Sequence, residues 1–122
     1  METFIVIVTA KPGHDAEVAQ FYQDLEPLLQ EAKGFQGRQI FQAKTGTMVD
    51  AVKKIYSAEE LAKHPEPPHE DPGTNFIVIE HWDSVDDRMA YSKGASAGRN
   101  QALIPHLLPD HSHEFYKELS AG

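Results

Sequence analysis

The sequence predicts a single α+β domain of the ferredoxin-like type, with the order βαββαβ and a four-stranded antiparallel sheet. Four segments have the apolar pattern of strands, and the stretches between them include two with the spacing of amphipathic helices. The length of 122 residues is that of one domain. We expect this domain to span residues 1–122, with an excursion at residues 45–73 inserted between two strands.

The first part of the chain predicts a strand, a helix and a second strand. Residues 3–10 include the run FIVIV, and a continuous apolar run is typical of a strand covered on both faces. Residues 15–33 carry apolar side chains at spacings of one and three, which predicts a helix kinked at Pro27 and ended by Gly34. Residues 35–44 alternate in places and predict a strand with a partly polar face.

The excursion at residues 45–73 predicts little regular structure. Ser57 and Glu60 have the spacing of a capping box, which predicts one short helix that ends at His64. The stretch HPEPPHEDPG that follows is rich in proline and acidic residues, and it predicts a surface loop.

The second half predicts a strand, two helices and a last strand. Residues 75–82 alternate in polarity, so their side chains point to two faces. One face carries Phe76, Val78, Glu80 and Trp82, and the other carries Ile77, Ile79 and His81. Ser84 is positioned to cap a helix that Gly94 ends, a further helix is expected at residues 97–107, and residues 111–119 predict an edge strand.

The apolar residues on both faces of the strands also predict a homodimer. Helices cover one face of a four-stranded sheet, so the second apolar face needs another cover. In a chain this short, the simplest cover is the sheet of a second copy.

Composition and charge exclude several classes of function. The chain has 19 acidic and 11 basic residues, a net charge of −8, and no basic run, which argues against nucleic-acid binding. It has no cysteine, no Gly-rich phosphate loop and no apolar stretch long enough to span a membrane. Since the first apolar run is also too short for a signal peptide, we expect a cytoplasmic protein.

The stretches FIVIVTAKPG, KGFQG and IVIEHWDSVDD together resemble the antibiotic biosynthesis monooxygenase (ABM) domain family. The most specific of these features is the E-x-W-x-S pattern at residues 80–84. The resemblance implies a dimeric α/β barrel with a pocket between sheet and helices. Some members oxidise phenolic or quinol-type aromatics with molecular oxygen and no metal or flavin, whereas others degrade haem or isomerise small molecules. Val78 stands where anthrone-oxidising members have asparagine, and Gln101 where haem-degrading members have a histidine ligand.

The resemblance and the alternation together give a set of candidate site residues. His106 and Glu80 are the candidate catalytic bases, because an imidazole titrates near neutral pH and a carboxylate in an apolar pocket has a raised pKa. Glu80 has an alternative role as the ion-pair partner of Arg38 or Arg99. Trp82 is interpreted as a wall that stacks on an aromatic ligand, or else as a large core side chain. The other predicted substrate contacts are Tyr91, Asn100, Phe76, Val78 and Tyr22.

These residues support a cofactor-independent monooxygenase that acts on a small aromatic molecule. A non-catalytic dimer that binds a small ligand or has a structural role, and a small-molecule isomerase, are the alternatives. His111 and His113 share a strand face, as a two-histidine metal pair requires, but the sequence places no third ligand beside them. We therefore expect no metal and no cofactor.

Overall fold

The computed structural model describes residues 1–63 and 73–120. The strands are β1 (Glu2–Ala10), β2 (Phe35–Gln42), β3 (Thr74–Trp82) and β4 (Leu107–Tyr116). The helices are α1 (Asp15–Asp24), α2 (Glu26–Gln30), α3 (Thr47–Ile55), α4 (Ala58–Ala62), α5 (Val85–Lys93) and α6 (Asn100–Leu103), and a 3₁₀ turn at Ile104–His106 follows α6. Within the described ranges, no helix has the length and apolar character needed to cross a bilayer.

The four strands form one antiparallel sheet in the order β2-β3-β1-β4. This order and the helical connections are those of the ferredoxin-like fold, so the predicted fold class is confirmed. Sequential strands are not all neighbours, because β1 lies between β3 and β4 at the centre of the sheet.

The central strand β1 has apolar side chains on both faces of the sheet. Phe4, Val6 and Val8 are buried on the face that the helices cover. Ile5 and Ile7 point to the opposite face, where Ile7 is 37% exposed. The unbroken run FIVIV therefore contributes to two surfaces, as the sequence predicts for a strand that needs cover on both sides.

The core lies between the sheet and the helices. Val18 of α1 and Leu29 of α2 are fully buried against the sheet, as is Trp82 at the end of β3. The Trp82 ring meets Phe35 edge-on at 5.3 Å and lies 5.5 Å from the ring of Tyr91 on α5. These aromatic contacts fix α5 over the end of the central strands.

The first helical region differs from the prediction of one kinked helix over residues 15–33. The structure has two helices that meet at Leu25, and Pro27 lies in the first turn of α2. Proline is tolerated in a first turn because its missing N–H would have no intrahelical acceptor there. Gln30 ends α2, and Gly34, with φ +83°, makes the turn into β2 rather than capping the helix directly.

The excursion contains more helix than the sequence predicts. The expected capping box of α4 is present, since the Glu60 N–H donates to Ser57 Oγ and the Ser57 N–H donates to Glu60 Oε1, each at 3.1 Å. The helix α3 is absent from the prediction, and its apolar residues Met48 and Ile55 are 75% and 74% exposed. The predicted helix end at His64 and the proline-rich loop lie outside the described residues.

The predicted helix over residues 97–107 is too long. The helix α6 covers only four residues, and Pro105 lies in the 3₁₀ turn that follows it. Proline lacks the N–H that an α-helix needs to continue, so the chain leaves the helix at this point. As a result β4 begins at Leu107, opposite Ala10, rather than at residue 111, and it ends at Tyr116 rather than at residue 119.

The sheet face opposite the helices carries an apolar row across three strands. Phe41 of β2 pairs with Ile77 of β3, which pairs with Ile7 of β1. These three side chains are 50%, 37% and 37% exposed. The sequence predicts this second apolar face, and in a single chain it remains open to water.

Substitution of two glycines tests the close approach of the backbone at Gly73, just before β3, to the end of β1. Gly73 has φ +72°, and a Cβ added there would lie 2.1 Å from the carbonyl oxygen of Ala10, whereas Gly13 has φ +82° and open space around it. Alanine at either position adopts a left-handed conformation that costs about 1–2 kcal/mol. Because only Gly73→Ala adds a collision, we expect it to lower the free energy of unfolding by about 2 kcal/mol more than Gly13→Ala. Urea unfolding measures both losses, and equal losses would contradict the close approach.

Candidate functional site

A cavity of about 120 Å³ lies between the helix-side face of the sheet and the segment that runs from α5 to α6. The strands contribute Val6, Glu80 and His113 to its wall. Helices and loops contribute the remaining lining residues, which are Phe21, Tyr22, Leu25, Arg88, Tyr91, Ser92, Ser96, Gly98, Arg99 and Asn100. Polar and aromatic side chains dominate this list, so the cavity can hydrogen-bond a ligand as well as enclose it.

A buried ion pair forms the base of the cavity. Glu80 Oε1 accepts a hydrogen bond from Arg88 Nε–H at 2.7 Å and another from Trp82 Nε1–H at 2.9 Å. The side chains of Glu80 and Arg88 are only 7% and 13% exposed. Alternation along β3 places Glu80 and Trp82 on the same face, and α5 then turns back over that face and brings Arg88 to them. The sequence names Arg38 and Arg99 as partners of Glu80, and the structure corrects this to Arg88.

Aromatic rings surround the Arg88 guanidinium. Its central carbon lies 4.4 Å from the ring centroid of Phe4, 5.2 Å from Tyr91 and 5.8 Å from Trp82. These distances permit cation–π attraction, which is strongest for a cation removed from water. Arg88 Nη1 donates to Ser92 Oγ, while Nη2 has no hydrogen-bond partner within residues 1–63 and 73–120. One nitrogen of a firmly held cation therefore remains for a ligand.

Arg38 has a separate structural role. Its Nη1 donates to the carbonyl oxygen of Tyr22 at 2.8 Å, and its Nη2 donates to Glu26 Oε2 at 2.6 Å. The Arg38 side chain is 4% exposed. It thus fastens β2 to the junction of α1 and α2, next to the cavity and not inside it.

Two tyrosines on the cavity wall retain their phenolic protons. Burial, and then the Glu80 carboxylate, raise the pKa of Tyr22 well above its ordinary value near 10, although Arg38 opposes the shift. Burial and the same carboxylate also raise the pKa of Tyr91, against the opposing effect of Arg88. Both side chains are therefore neutral at physiological pH and can donate a hydrogen bond.

His113 is the imidazole of the cavity. It pairs with Val6 across β1 and β4, so both side chains lie on the helix-side face of the sheet. Burial lowers the pKa of His113 below its ordinary value of 6.5, and the adjacent His111 and Arg88 lower it further, against a smaller opposite effect of Glu80. His113 is accordingly neutral at pH 7, and a neutral imidazole can accept a proton.

The predicted site residues divide into those that line the cavity and those that support it. Glu80, Tyr22, Tyr91 and Asn100 line it. Three predicted contacts are fully buried and lie outside the lining, namely Trp82, Phe76 and Val78, which are 0%, 1% and 0% exposed. The indole N–H of Trp82 donates to Glu80, so this side chain supports the ion pair.

His106 lies apart from the cavity. Its Nδ1 is 2.9 Å from Nδ1 of His14, at the turn before α1. His106 is the last residue of the 3₁₀ turn that follows the short helix α6, whereas the sequence predicts it within a helix over residues 97–107.

Sequence reasoning did not identify Arg88 or His113 as cavity residues. Alternation from Phe115 places His113 on the helix-side face, which is a signal that the sequence contains. His111 and His113 do share that face, with ring centroids 5.3 Å apart. Within the described ranges no third side chain joins them in a metal-binding group.

The buried ion pair yields a stability prediction. Glu80→Gln keeps the shape of the side chain but leaves the Arg88 charge buried without a counterion, and such a change costs about 3 kcal/mol. The matched control is Lys33→Gln, which removes a surface partner of Asp87 at 4.0 Å from a lysine that is 92% exposed. That loss should stay below about 1 kcal/mol. Urea unfolding of both variants checks this, and losses of similar size would show that the Glu80–Arg88 pair has no special role.

Comparison with known proteins finds the same fold in solved structures. No protein-family model and no curated protein matches this sequence. A proposed antibiotic biosynthesis monooxygenase from Caulobacter crescentus is 14% identical, with a TM-score of 0.65 over 98% of this chain and 90% of that chain. A protein of unknown function from Nitrosomonas europaea is 22% identical, with a TM-score of 0.60 over 99% of this chain and 91% of that chain.

A third solved structure is SnoaB, a cofactor-independent oxygenase from Streptomyces nogalater. It is 12% identical, with a TM-score of 0.61 over 98% of this chain and 94% of that chain. The neighbours span almost the whole chain, which agrees with the resemblance that the sequence motifs indicate. The chain therefore has the fold of the antibiotic biosynthesis monooxygenase domain proteins.

Proposed function

We propose that this protein is a cofactor-independent monooxygenase that acts on a small phenolic or quinol-type aromatic in the cavity between sheet and helices. The observation that carries the proposal is the presence of a neutral imidazole, His113, and a buried cation, Arg88, in the wall of one cavity. A phenol needs a base for its proton and positive charge for the anion that results. The fold shared with a cofactor-independent oxygenase supports the same class of reaction.

The size of the cavity supports a small substrate. An apolar cavity of about 150 Å³ holds one benzene molecule. A cavity of about 120 Å³ therefore suits a single ring, and a fused three-ring anthrone would exceed it. The neutral phenols of Tyr22 and Tyr91 can donate hydrogen bonds to the oxygens of such a ring and orient it.

The proposed reaction begins with proton transfer from the bound phenol to His113. The phenolate then lies near Arg88, whose Nη2 can donate a hydrogen bond to it. One electron passes from the electron-rich anion to molecular oxygen, and the two radicals combine at a ring carbon that bears hydrogen. The peroxide that forms takes the proton back from His113 and becomes a hydroperoxide. Loss of water leaves a carbonyl group, so one oxygen atom enters the product, the other leaves as water, and all four electrons come from the substrate.

In this proposal the base is His113, and not His106 or Glu80 as the sequence suggests. Glu80 already accepts two hydrogen bonds on one oxygen, so it acts as a positioning residue for Arg88. Trp82 supports that arrangement from the core and makes no direct contact with the substrate. The cavity residues thus have two roles: contact with the ring, and support of the groups that contact it.

Oxygen uptake tests the proposal directly. We expect the protein to consume oxygen with methyl-substituted hydroquinones, above the rate of a protein-free sample, with a metal chelator present. Replacement of His113 by glutamine should lower the rate about 100-fold or more, the typical loss when a general base is removed. The matched control is His111→Gln, since His111 lies on the same strand and the same face but does not line the cavity.

The pH profile provides a second readout of the same step. Because the pKa of His113 lies below 6.5, the rate should be level between pH 7 and 8 and should fall below about pH 6.5, as the imidazole gains a proton. No oxygen uptake by folded protein across the hydroquinone panel would overturn the proposal. Saturable binding of the same compounds without uptake would favour the alternative of a non-catalytic ligand-binding protein.

We also propose that the protein is a homodimer in which a second copy covers the open face of the sheet. The apolar row of Phe41, Ile77 and Ile7 is the supporting observation, since water contacts this row in the single chain. His81 lies on the same face, and its Nδ1 is buried without a hydrogen-bond partner within the described part of the chain. A partner sheet would remove the row from water.

A single charge on the open face tests the dimer. We expect the wild-type protein to sediment as a dimer at micromolar concentration and Ile77→Lys to sediment as a monomer, because the lysine would be buried at the centre of the interface. The control is Met89→Lys, a substitution of an apolar residue that is 53% exposed on α5, on the helical side of the molecule. A wild-type monomer in dilute solution would contradict the proposal.

A further inference from the structure

We propose that His14, Glu17 and His106 form a binding site for a divalent transition-metal ion such as zinc, separate from the cavity. None of these three residues lines the cavity. Their ligand atoms all lie within 4.8 Å of one another, and no other such group of three occurs among the residues that the structure describes. The identity of the ion is inferred from the chemistry of these side chains.

The distance between the two imidazoles fits ligation of one ion. Nδ1 of His14 lies 2.9 Å from Nδ1 of His106. Histidine nitrogens bind zinc at about 2.0–2.1 Å, so two nitrogens at this separation would subtend an angle near 90° at a shared ion. That angle is found between neighbouring ligands of an ion with five or six ligands, and a slight opening of the pair gives the tetrahedral angle. Glu17 is exposed, so its carboxylate can rotate toward the two rings.

Backbone hydrogen bonds hold the two histidines together. The Lys11 N–H donates to the carbonyl oxygen of His106 at 2.9 Å, and the His14 N–H donates to the carbonyl oxygen of Lys11 at 2.9 Å. Immediately after His106, Leu107 pairs with Ala10 in the sheet. The fold therefore brings His14 and His106 together although they are far apart in the sequence. Metal binding would require little further ordering of the chain.

The start of α1 adds the third ligand. His14 occupies the N-cap position of α1, and Glu17 follows in its first turn. Residues three apart on a helix lie on the same side, so the carboxylate can reach the edge of the His14 ring. Two imidazoles and a carboxylate form a donor set that binds zinc and other first-row ions and leaves open positions for water.

A metal ion would replace the hydrogen bond between the two imidazoles. Two ring nitrogens at 2.9 Å form a hydrogen bond only when one of them carries a proton and the other accepts it. A metal ion would displace that proton and use both lone pairs. The competing interpretation is a plain histidine–histidine hydrogen bond, and the two interpretations differ in metal stoichiometry.

Equilibrium dialysis against zinc, with protein that carries no histidine tag, tests the site. We expect one zinc ion per chain for the wild type. In His106→Ala the zinc affinity should fall by more than about 10–100-fold, because that is the typical loss when only a hydrogen-bond partner of a metal ligand is removed. His14→Ala should behave in the same way and replaces His106→Ala if that variant fails to fold. Glu17→Gln should weaken binding while it leaves the two rings in place.

The matched control is His111→Ala, which removes an exposed histidine of the other pair and should retain full binding. Zinc should also raise the melting temperature of the wild type and of His111→Ala, but not that of His106→Ala, because only a ligand bound to the native state stabilises it. Absence of saturable binding in the wild type would overturn the proposal. So would unchanged affinity in both His14→Ala and His106→Ala, or loss of binding in His111→Ala.

Discussion

The fold depends on the position of one strand that is apolar on both faces. β1 lies between β3 and β4, so its backbone groups are paired on both edges, and its side chains divide between two surfaces. Phe4, Val6 and Val8 form the centre of the helix-side core, whereas Ile5 and Ile7 form part of the open face. The helices can satisfy only one of these surfaces. Because β1 is apolar on both faces, it stabilises the helix-side core and also contributes to an exposed apolar row. That row favours association with a second chain.

The helix-side surface also contains a charge, and this shapes the candidate site. Replacement of a buried ion pair by apolar side chains is often neutral or stabilising, so stability alone does not account for Glu80 and Arg88. The pair has a positional effect here: it holds Arg88 among Phe4, Tyr91 and Trp82 and leaves one of its nitrogens without a partner within the described residues. The same carboxylate helps to keep the protons on Tyr22 and Tyr91. The buried ion pair thus fixes the position of Arg88 in the cavity wall and contributes to the protonation of two phenolic donors.

Local patterns predicted the number and order of the strands, with β4 displaced by about three to four residues, but not the long-range contacts of the site. Alternation along β3 correctly separated Glu80 and Trp82 from Ile77, because a strand has a fixed period of two. The helix boundaries failed at Pro27 and Pro105, where proline can begin a helical turn as readily as it ends one. The partner of Glu80 could not be found from spacing, since three arginines are candidates and only the return path of α5 selects Arg88. His106 lies outside the lining of the cavity for a related reason, because its position depends on where α6 stops.

The histidines of this domain lie in two different surroundings, and each surrounding favours a different chemistry. In the cavity, His113 lies near the Arg88 cation, and the Glu80 carboxylate is already bound to that cation. A metal ion placed there would meet a positive charge and find its anionic ligand occupied, so the cavity suits proton transfer and stabilisation of an anion. At the turn before α1, His14 and His106 face each other beside an exposed carboxylate with no arginine bound to it among the described residues, an arrangement that attracts a cation. The proposed oxidation in the cavity and the proposed metal site outside it are therefore compatible. The first depends on an arginine beside the imidazole, and the second depends on a free carboxylate beside it.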